Sequence, residues 1–511
     1  MILILDFGSQ YSKIIARKIR ESKVYCEVVS HKITPEEIKS KGALGIILSG
    51  GPSSVHSSSA PKSSPELLTL GIPVLGICYG MQLMAQQLGG EVTASNSQEY
   101  GSASFLIDNN FDLFEGLWIE MTTWMSHGDS VVRMPKGFQR LGHTTTCSIA
   151  AMGNPATKLY GVQFHPEVTH TPKGRDVLNN FIFRICGCKG DWTAESFIDT
   201  ALKEIKNTVK GEKVLCALSG GVDSSVTAAL LQKAIGNQLT CMFIDQGFMR
   251  HKESERIQSL FEGVFNINLV YIDAKDRFFR KVKGVTDPEE KRKKIGEEFI
   301  RVFEEETQKL QGEFPFLAQG TLYPDVIESG VGDVPETSVK IKTHHNVGGL
   351  PEDMSFKIIE PLNKLFKDEV RKVGTELGLP DEVVHRQPFP GPGLSIRILG
   401  EVTPERVDVL QRADYIVVDE IKKAGLYRKL WQAFAILLPV KSVGVQGDQR
   451  TYSHVIAIRA VTSEDAMTAH WAHLPYDVLE KISSRIINEI SEINRVTYDI
   501  SSKPPSTIEW E

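Results

Sequence analysis

Cys78 is placed in this 511-residue chain as a nucleophile would be. It follows the apolar run IPVLGI and lies between Gly76 and Gly80, after which the chain continues as MQLMAQQLGG. This order predicts a buried strand, a sharp turn and a helix, with the thiol at a helix N terminus that stabilises a thiolate. The segment alone leaves two interpretations open, because an isolated cysteine among apolar residues can also be a small core residue.

A second predicted strand end supplies the partners that a thiol nucleophile needs. In YGVQFHPEV, residues 160–168, an apolar strand ends at His165, and Pro166 imposes an extended backbone before Glu167. An imidazole can accept the thiol proton, and a carboxylate can orient the imidazole. A lone histidine at a strand end is more often structural, but the two strand ends together favour a Cys–His–Glu catalytic site.

Two glycine loops could bind negative charge. LSGGPSS, residues 48–54, could direct backbone N–H groups at an oxyanion, although a glycine pair is more often an ordinary loop. LSGGVDSS, residues 218–225, lies between a predicted strand and helix, where N–H groups and serines can hold phosphate. It lacks the lysine of the GK[ST] loop, which argues against γ-phosphoryl transfer. We expect pyrophosphate chemistry, with Asp223 as a magnesium ligand.

Alternating strands and helices must position these loops. The runs ILILDF, GALGIILSGG and IPVLGICYG, and later KVLCALSGG and LTCMFIDQG, predict buried strands that end in loops. We therefore predict two doubly wound α/β domains with mainly parallel sheets, in which functional groups gather at the carboxyl ends of strands. A smaller α+β domain should follow the Pro/Gly cluster RQPFPGPG. The expected boundaries are residues 1–190, 191–386 and 387–511.

Composition excludes several classes of protein. A net charge of -6 gives no basic excess for nucleic-acid binding. The longest apolar runs are far shorter than the roughly 20 residues that span a bilayer, and MILILDFGSQ lacks the basic leader of a signal peptide. Seven scattered cysteines favour a reducing compartment, and Cys186 and Cys188 lack further ligands at zinc spacing. We expect a cytoplasmic protein without nucleic-acid or membrane partners.

The first domain resembles the class I glutamine amidotransferases in its SGGP, GICYGMQ, MSHGD and FHPE motifs. This resemblance implies hydrolysis of glutamine to glutamate and ammonia, with Cys78 as nucleophile, His165 as proton carrier and Glu167 as its orienting carboxylate. It also implies an oxyanion site and a glutamine pocket formed by Gly51, the N–H of Tyr79, Gln82, Ser126 and His127. A degenerate, inactive copy is the alternative, although none of the three catalytic residues is missing.

SGGVDSS resembles the pyrophosphate loop of the N-type ATP pyrophosphatases, which cleave ATP between its α and β phosphates to adenylate a substrate. The ATP-binding residues implied are Ser219, Gly220, Gly221, Val222, Asp223, Ser224 and Ser225, with Mg²⁺ at Asp223. Downstream, Asp325 and Glu328 are candidate metal or substrate contacts. The glycine-containing segment IKTHHNVGGLP, residues 341–351, is a candidate lid over the nucleotide.

An ammonia-producing domain joined to an adenylating domain predicts that ammonia displaces AMP from an activated acceptor. Here the resemblance extends over the whole chain: PLNKLFKDEVRKVG, RQPFPGPGLSIRILGEV, MTAHWAHLPYD and YDISSKPPSTIEWE are similar to the glutamine-hydrolysing GMP synthetase family. That family aminates XMP to GMP and forms homodimers through its third domain. The XMP contacts implied are Arg292, Gln432, Lys503 and Glu509. Two prolines and a tryptophan in KPPSTIEWE also predict an ordered tail that closes this site.

Two competing hypotheses use the same motifs. Another ATP pyrophosphatase, such as NAD synthetase, would keep both chemistries with a different acceptor, and the C-terminal resemblance argues against it. A nucleotide-sensing module with an inactive amidotransferase domain would not be an enzyme. The intact residues Cys78, His165, Glu167 and Asp223 argue against that second hypothesis.

Overall fold

The structure is a computed structural model that describes residues 1–9, 11–310, 314–330, 356–446, 448–463 and 466–511. The chain divides into two compact units. One is formed by Met1–Phe197, and the other mainly by the residues from Ile198 onward.

The first unit is built on a sheet whose two halves differ in strand direction. Its strands are β1 (Ile2–Asp6), β2 (Cys26–Ser30), β3 (Gly45–Leu48), β4 (Val74–Ile77), β5 (Glu91–Ile107), β6 (Glu120–Arg133), β7 (Gln139–His143), β8 (Ala151–Asn154) and β9 (Leu159–Val162). Its helices are α1 (Ser12–Glu21), α2 (Pro35–Ser40), α3 (Tyr79–Gln87) and α4 (Gly174–Asn179). The strand order is β2-β1-β3-β4-β9-β8-β7-β5-β6. Strands from β2 to β9 in that order are parallel, and the remaining pairs are antiparallel.

Burial follows strand direction in this sheet. All residues of β3, β4 and β9 are buried, as expected of parallel strands that are covered on both faces. In β6, buried and more exposed residues alternate from Glu120 to Gly128, which is typical of an antiparallel strand with one solvated face. The predicted buried strands are therefore confirmed, whereas the antiparallel half was not anticipated.

The second unit contains a parallel sheet and a second, mostly antiparallel one. Helix α5 (Ala194–Val209) precedes it. Its strands are β10 (Val214–Leu218), β11 (Leu239–Asp245), β12 (Asn268–Asp273), β13 (Phe316–Ala318), β14 (Lys357–Ile359), β15 (Gln432–Gln446), β16 (Gln449–Thr462), β17 (His470–Trp471) and β18 (Ile493–Tyr498). Its helices are α6 (Val222–Ile235), α7 (Glu253–Gln258), α8 (Lys275–Val282), α9 (Pro288–Lys309), α10 (Tyr323–Gly330), α11 (Lys367–Glu376), α12 (Asp381–Val384), α13 (Pro404–Lys423) and α14 (Tyr476–Glu489).

The strand order of the parallel sheet shows where its ligand-binding loops are expected. The parallel sheet has the order β12-β11-β10-β13-β14, so the chain reverses direction across the sheet beside β10. Ligands of open α/β sheets bind at such a switch point. In the other sheet β16 pairs antiparallel with β15 and β17 and parallel with β18. The predicted α/β class, with an α+β C-terminal part, is confirmed.

One apolar core links the parallel sheet to the C-terminal elements. It includes Leu215 of β10, Phe278 of α8, Leu410 of α13, Ile456 of β16 and Ile482 of α14. Because these buried residues lie in one continuous cluster, the parallel sheet and the elements after residue 400 belong to the same compact unit.

Close packing of α3 against β3 depends on Gly80. A β-carbon built on Gly80 would lie 2.3 Å from the carbonyl oxygen of Leu48, which is too close for any side chain. Leu48 is the last residue of β3 and precedes the glycine loop. Gly80 therefore allows the helix that follows Cys78 to approach the strand that leads into that loop.

We expect Gly80→Ala to lower the free energy of unfolding by about 1–3 kcal/mol, because the new methyl group must displace backbone in a packed region. Urea-induced unfolding measures this change. Gly296→Ala in α9 is the control, since a β-carbon there meets nothing within 4 Å and alanine favours a helix. Equal stability of the two variants would contradict the packing argument.

Candidate active sites

Cys78 occupies a strained turn between β4 and α3. Its backbone has φ +51° and ψ −108°, a conformation that residues other than glycine rarely adopt. The Cys78 N–H donates to the carbonyl oxygen of Val162 at 2.8 Å and so ties the turn to β9. This is the geometry of a nucleophile elbow, in which a sharp strand-to-helix turn presents a reactive side chain.

His165 and Glu167 lie just beyond the end of β9, which pairs in parallel with β4. The distance from His165 Nδ1 to Glu167 Oε1 is 2.8 Å, and both side chains are buried. A β-carbon built on Gly50 would lie 3.2 Å from His165 Cε1 and 3.9 Å from Cys78 Cβ. The structure thus brings the three predicted catalytic residues together at the carboxyl ends of β4 and β9, with Gly50 packed against them.

The environment of His165 favours its protonated form. Burial alone would lower the pKa of His165, but the Glu167 carboxylate and interactions with Cys78 outweigh it and raise the pKa to about 11. A protonated imidazole beside a thiol sulfur stabilises a thiolate. The pair is therefore suited to nucleophilic attack followed by proton donation to a leaving group.

Two of the residues predicted for the glutamine pocket lie close to the thiol. The Ser126 carbonyl oxygen is 3.6 Å from Cys78 Sγ. Gln82 Nε2 donates to the Asp129 carbonyl at 2.8 Å and to Gln163 Oε1 at 3.2 Å. Gln163 in turn donates to Cys78 Sγ at 3.6 Å. Gln163 was not among the predicted site residues, although a glutamine inside the apolar run YGVQF was a usable signal.

The other predicted residues of this pocket are placed differently. A β-carbon on Gly51 would lie 3.3 Å from Tyr79 Cγ, so this glycine packs against the tyrosine ring. Tyr79 is the first residue of α3, and its N–H therefore has no acceptor within the helix. The His127 ring is held elsewhere, with Nε2 3.0 Å from Glu99 Oε2 and Nδ1 3.0 Å from the Asp129 carbonyl.

The predicted ATP-binding residues form a strand–loop–helix turn between β10 and α6. They are Ser219, Gly220, Gly221, Val222, Asp223, Ser224 and Ser225. Gly220 has φ +73°, which opens the turn. The Ser224 and Ser225 hydroxyls donate to the Gly221 carbonyl at 3.1 and 2.7 Å. The loop lies at the switch point of the parallel sheet, where its backbone N–H groups suit a phosphate group.

Two cations from distant parts of the chain reach this loop. Lys367 Nζ forms an ion pair with Asp223 Oδ2, and Arg386 donates to the Gly220 carbonyl. The other carboxylate oxygen of Asp223, Oδ1, is buried without a hydrogen-bond partner among the described residues. No sequence pattern predicted these two cations, because Lys367 lies 144 residues from Asp223 and no local spacing links them. A lysine is thus supplied to a loop that contains none.

The structure describes only some of the remaining residues predicted to contact the metal, the nucleotide or the substrate. Asp325 Oδ2 accepts from the Leu322 N–H at 2.9 Å, a helix-capping contact at the start of α10. The Glu328 side chain and the predicted lid, residues 341–351, lie outside the described residues. Their roles stay predictions.

The structure brings together two of the four residues predicted to contact XMP. Gln432 Nε2 donates to Glu509 Oε1 at 2.9 Å. Arg397, which is fully buried, donates to both Glu509 carboxylate oxygens at 2.8 and 3.0 Å. The other two have different partners: Lys503 Nζ donates to the Ala466 carbonyl at 2.9 Å, and Arg292 donates to the Glu511 carbonyl.

The last residues pack against β16 and β18. Arg459 donates to the carbonyls of Ser501 and Thr507 at 2.5 and 3.1 Å, and Trp510 Nε1 donates to Asp499 Oδ2 at 2.8 Å. These contacts border a cavity of about 630 Å³ that Glu509 and Trp510 help to line. Its volume lies within the usual range of small-molecule sites, about 300–1,000 Å³.

Comparisons with known proteins match successive parts of the chain. The model for class I glutamine amidotransferases matches residues 3–185, the model for the HUP domain of tRNA methyl transferases matches residues 212–271, and the model for the C-terminal domain of GMP synthase matches residues 419–510.

Curated relatives match over the full length. The glutamine-hydrolysing GMP synthase of Thermosynechococcus vestitus is 59% identical over the whole of this chain and 96% of its own length. Those of Nostoc punctiforme and Acetivibrio thermocellus are 60% and 58% identical over the whole chain and 95% and 99% of their lengths. This chain belongs to the glutamine-hydrolysing GMP synthase family. As a member of that family it combines an amidotransferase unit with an ATP-dependent one, and no helix among its described residues is long and apolar enough to cross a bilayer.

Glu167→Gln should make the stability of the folded chain depend differently on pH. The pKa of His165 is about 11 in the folded state and 6.5 in its ordinary environment. Its bound proton therefore stabilises the fold fully below a pH of about 6.5, and this contribution is lost as the pH rises toward 11. Since Glu167 raises that pKa, we expect the variant to be less stable than the wild type at pH 6 and the gap to narrow as the pH increases.

Urea-induced unfolding between pH 6 and pH 10 measures this gap. Glu115→Gln is the control, because Glu115 pairs with Arg184 at the surface of the same unit and should show little pH-dependent difference. A difference between Glu167→Gln and wild type that stays constant with pH would contradict the charge pairing of His165 with Glu167.

Proposed function

We propose that this chain hydrolyses glutamine to glutamate and ammonia, adenylates XMP with MgATP, and aminates the adenylate to GMP, with release of AMP and pyrophosphate. The observation that carries the proposal is the presence, in one chain of this family, of a buried Cys–His–Glu constellation and a loop of glycines and serines at the switch point of a parallel sheet.

Glutamine hydrolysis would proceed through a thioester on Cys78. The thiolate attacks the side-chain amide carbon, and the resulting oxyanion is stabilised by the Tyr79 N–H and by N–H groups of the loop at Gly50 and Gly51. His165 gives its proton to the departing nitrogen, which leaves as ammonia. It then accepts a proton from the water that hydrolyses the thioester to glutamate. Glu167 keeps the imidazole oriented through its bond to Nδ1.

Adenylation would use the loop from Ser219 to Ser225. Its N–H groups hold the β and γ phosphates that leave as pyrophosphate, and Lys367 adds a positive charge beside Asp223. Asp223 also fits a magnesium ion, because its Oδ1 is a buried carboxylate oxygen without a protein partner among the described residues. Magnesium bound there would neutralise charge on the pyrophosphate.

The acceptor site would lie around Glu509 and Gln432. A carboxylate can accept hydrogen bonds from purine N–H groups, and a glutamine amide can both donate and accept. The cavity beside the tail, which Glu509 helps to line, has a volume within the range of small-molecule sites, and Lys503 and Arg292 would supply cations for the phosphate. Attack of ATP's α-phosphorus by the XMP O2 atom gives the adenylate, and ammonia then replaces AMP at C2.

The same proposal covers the organisation of the protein. Residues 1–190 would form the amidotransferase domain, 191–386 the adenylating domain, and 387–511 the XMP-binding and dimerisation domain of a cytoplasmic homodimer. Three apolar side chains on the β15–β16 hairpin support the dimer: Val443, Val445 and Tyr452 are 42%, 74% and 61% exposed. Exposed apolar residues on a continuous strand surface are typical of a protein interface.

The experiment that tests the proposal is an assay of the purified chain with XMP, ATP and Mg²⁺, supplied with either glutamine or ammonium. We expect GMP, AMP and pyrophosphate in both cases and glutamate only with glutamine. Chromatographic identification of the nucleotide products decides the acceptor. Formation of AMP with a nucleotide other than GMP would overturn the XMP assignment.

Cys78→Ala should reduce glutamine-dependent GMP formation by about 10⁴-fold or more, because it removes the nucleophile. Ammonia-dependent formation should stay within about twofold of wild type, since that reaction bypasses the thioester. Cys188→Ala, a cysteine away from the site, is the control and should keep both activities. Loss of both activities in folded Cys78→Ala would contradict the division of labour.

Asp223→Asn should reduce GMP formation from both nitrogen sources by at least about 100-fold, because the carboxylate that pairs with Lys367 and faces the pyrophosphate is neutralised. Release of AMP from ATP is the measurement. Asp368→Asn, on the exposed side of α11, is the matched control. Unchanged AMP release by Asp223→Asn would refute the role of this residue.

A further inference from the structure

The segment Ser126–Asp129 of β6 connects several parts of the amidotransferase site. The Ser126 carbonyl lies 3.6 Å from Cys78 Sγ, and the Asp129 carbonyl accepts from Gln82 at 2.8 Å. The Asp129 carboxylate also accepts from the Ser54 hydroxyl of the first glycine loop at 2.5 Å. The position of this short segment therefore sets the position of groups around the nucleophile.

Main-chain pairing holds this segment less regularly than the rest of β6. The ladder with β5 runs from Leu106 to Glu99 opposite His127, and resumes only at Ala94 opposite Asp129. Between these two pairs β5 advances by five positions while β6 advances by two, so the strands are out of register here. Side-chain contacts must supply what the ladder lacks.

His127 provides such contacts through both of its ring nitrogens. Nδ1 is 3.0 Å from the Asp129 carbonyl oxygen, and Nε2 is 3.0 Å from Glu99 Oε2. A main-chain carbonyl oxygen can only accept, so Nδ1 carries the proton of that bond, and Nε2 lies against the Glu99 carboxyl group. The two contacts fix the plane of the ring between the main chain of β6 and Glu99.

Glu99 is itself fixed by hydroxyl donors. The Thr144 hydroxyl donates to Glu99 Oε1 at 2.6 Å, and the Thr146 hydroxyl donates to the same oxygen. Burial and the charge of Glu99 raise the pKa of the neighbouring Cys147 to about 11, so this thiol stays neutral and adds no second anion. The carboxylate is thus buried, fully bonded and directed at His127.

From these contacts we infer that Glu99 is a positioning residue for the glutamine site, acting through His127 on the segment Ser126–Asp129. The inference rests on the proposed glutamine hydrolysis and adds a residue to it that touches neither the substrate nor the thiol. Glu99 fixes His127, His127 fixes the Asp129 carbonyl, and that carbonyl orients Gln82 beside the thiol. The strain that the elbow places on Cys78 does not depend on this network, so the substrate pocket rather than the nucleophile should respond to its loss.

The same side chains are also spaced as metal ligands could be. One donor atom each of Glu99, His127 and Cys147 lies within 4.8 Å of the others. The oxygens of Glu99 and the nitrogens of His127 already have hydrogen-bond partners, however, so the network is complete as a set of hydrogen bonds. Measuring the zinc content of the purified protein tests this point directly.

The test compares Glu99→Gln with wild type. Glutamine keeps the shape of the side chain but removes the carboxyl group that pairs with His127. We expect the KM for glutamine to rise by about tenfold, as for loss of one charged hydrogen bond, with kcat within about threefold. Ammonia-dependent GMP formation should be unchanged, and so should the rate at which iodoacetamide alkylates Cys78. Glu91→Gln on the same strand, whose carboxylate pairs with Arg133 at the surface, is the matched control.

A second pair of variants keeps the inference testable if Glu99→Gln fails to fold. Thr146 is an exposed residue whose hydroxyl donates to Glu99, so Thr146→Val should fold. Loss of this hydrogen bond should raise the KM for glutamine by about threefold to tenfold. Thr145→Val, an exposed neighbour, is its control and should leave the KM at the wild-type value. A purely structural role for Glu99 would lower stability and both nitrogen-source activities together.

The inference is overturned by an unchanged KM for glutamine in folded Glu99→Gln, by an equal loss of ammonia-dependent activity, or by stoichiometric zinc that the variant loses. Failure of the proposed function has a different signature. In that case the wild-type protein would release glutamate from glutamine without forming GMP. The KM for glutamine of Glu99→Gln and of wild type would then be measured from glutamate release.

Discussion

The hydrogen bond from the Cys78 N–H to the Val162 carbonyl is the contact on which the first site depends. It joins the carboxyl ends of β4 and β9, which are neighbours in the sheet although Ile77 and Val162, the residues that face each other there, are 85 positions apart in the chain. The strained backbone of Cys78 is kept in place because the sheet fixes the residue before it and α3 fixes the residue after it. With the turn fixed, His165 lies beside Cys78 just beyond the end of β9. The buried Glu167 carboxylate stabilises the protonated form of its imidazole.

The second site uses the same construction for a different purpose. A buried parallel strand again ends in a glycine turn that opens a helix, but here the loop presents backbone N–H groups and serines instead of a reactive side chain. Positive charge comes from outside the motif, through Lys367 and Arg386. One architecture thus presents a thiol in one unit and backbone N–H groups in the other, because both are exposed at the carboxyl end of a strand.

Local sequence patterns predicted the elements and residues whose signals are local. Helix α5 occupies the predicted segment AESFIDTALKEIKNTV, and the Cys78 and His165 strand ends meet as the parallel pattern required. Residues whose positions depend on topology were missed. Gln163 contacts the thiol only because β9 lies beside β4, and Arg386 reaches Gly220 only because the chain returns to the loop after the parallel sheet is complete. The long β5–β6 pair was missed as well, since its polar, serine-rich sequence lacks an apolar strand signature.

The ring of Phe389 lies among three arginines, with the guanidinium carbons of Arg250, Arg386 and Arg397 at 5.2 or 5.3 Å from its centroid. Arg386 donates to Gly220 in the loop that follows β10, and Arg397 donates to Glu509 of the tail. Each guanidinium also pairs with a carboxylate, Arg250 with Asp414, Arg386 with Glu253 and Arg397 with Glu509. Because all three pack on one ring, a shift of one guanidinium changes the packing of the others. Under the proposed function, with ATP at the loop and the acceptor at the tail, thermodynamic reciprocity applies: whatever ATP does to the affinity for the acceptor, the acceptor does to the affinity for ATP.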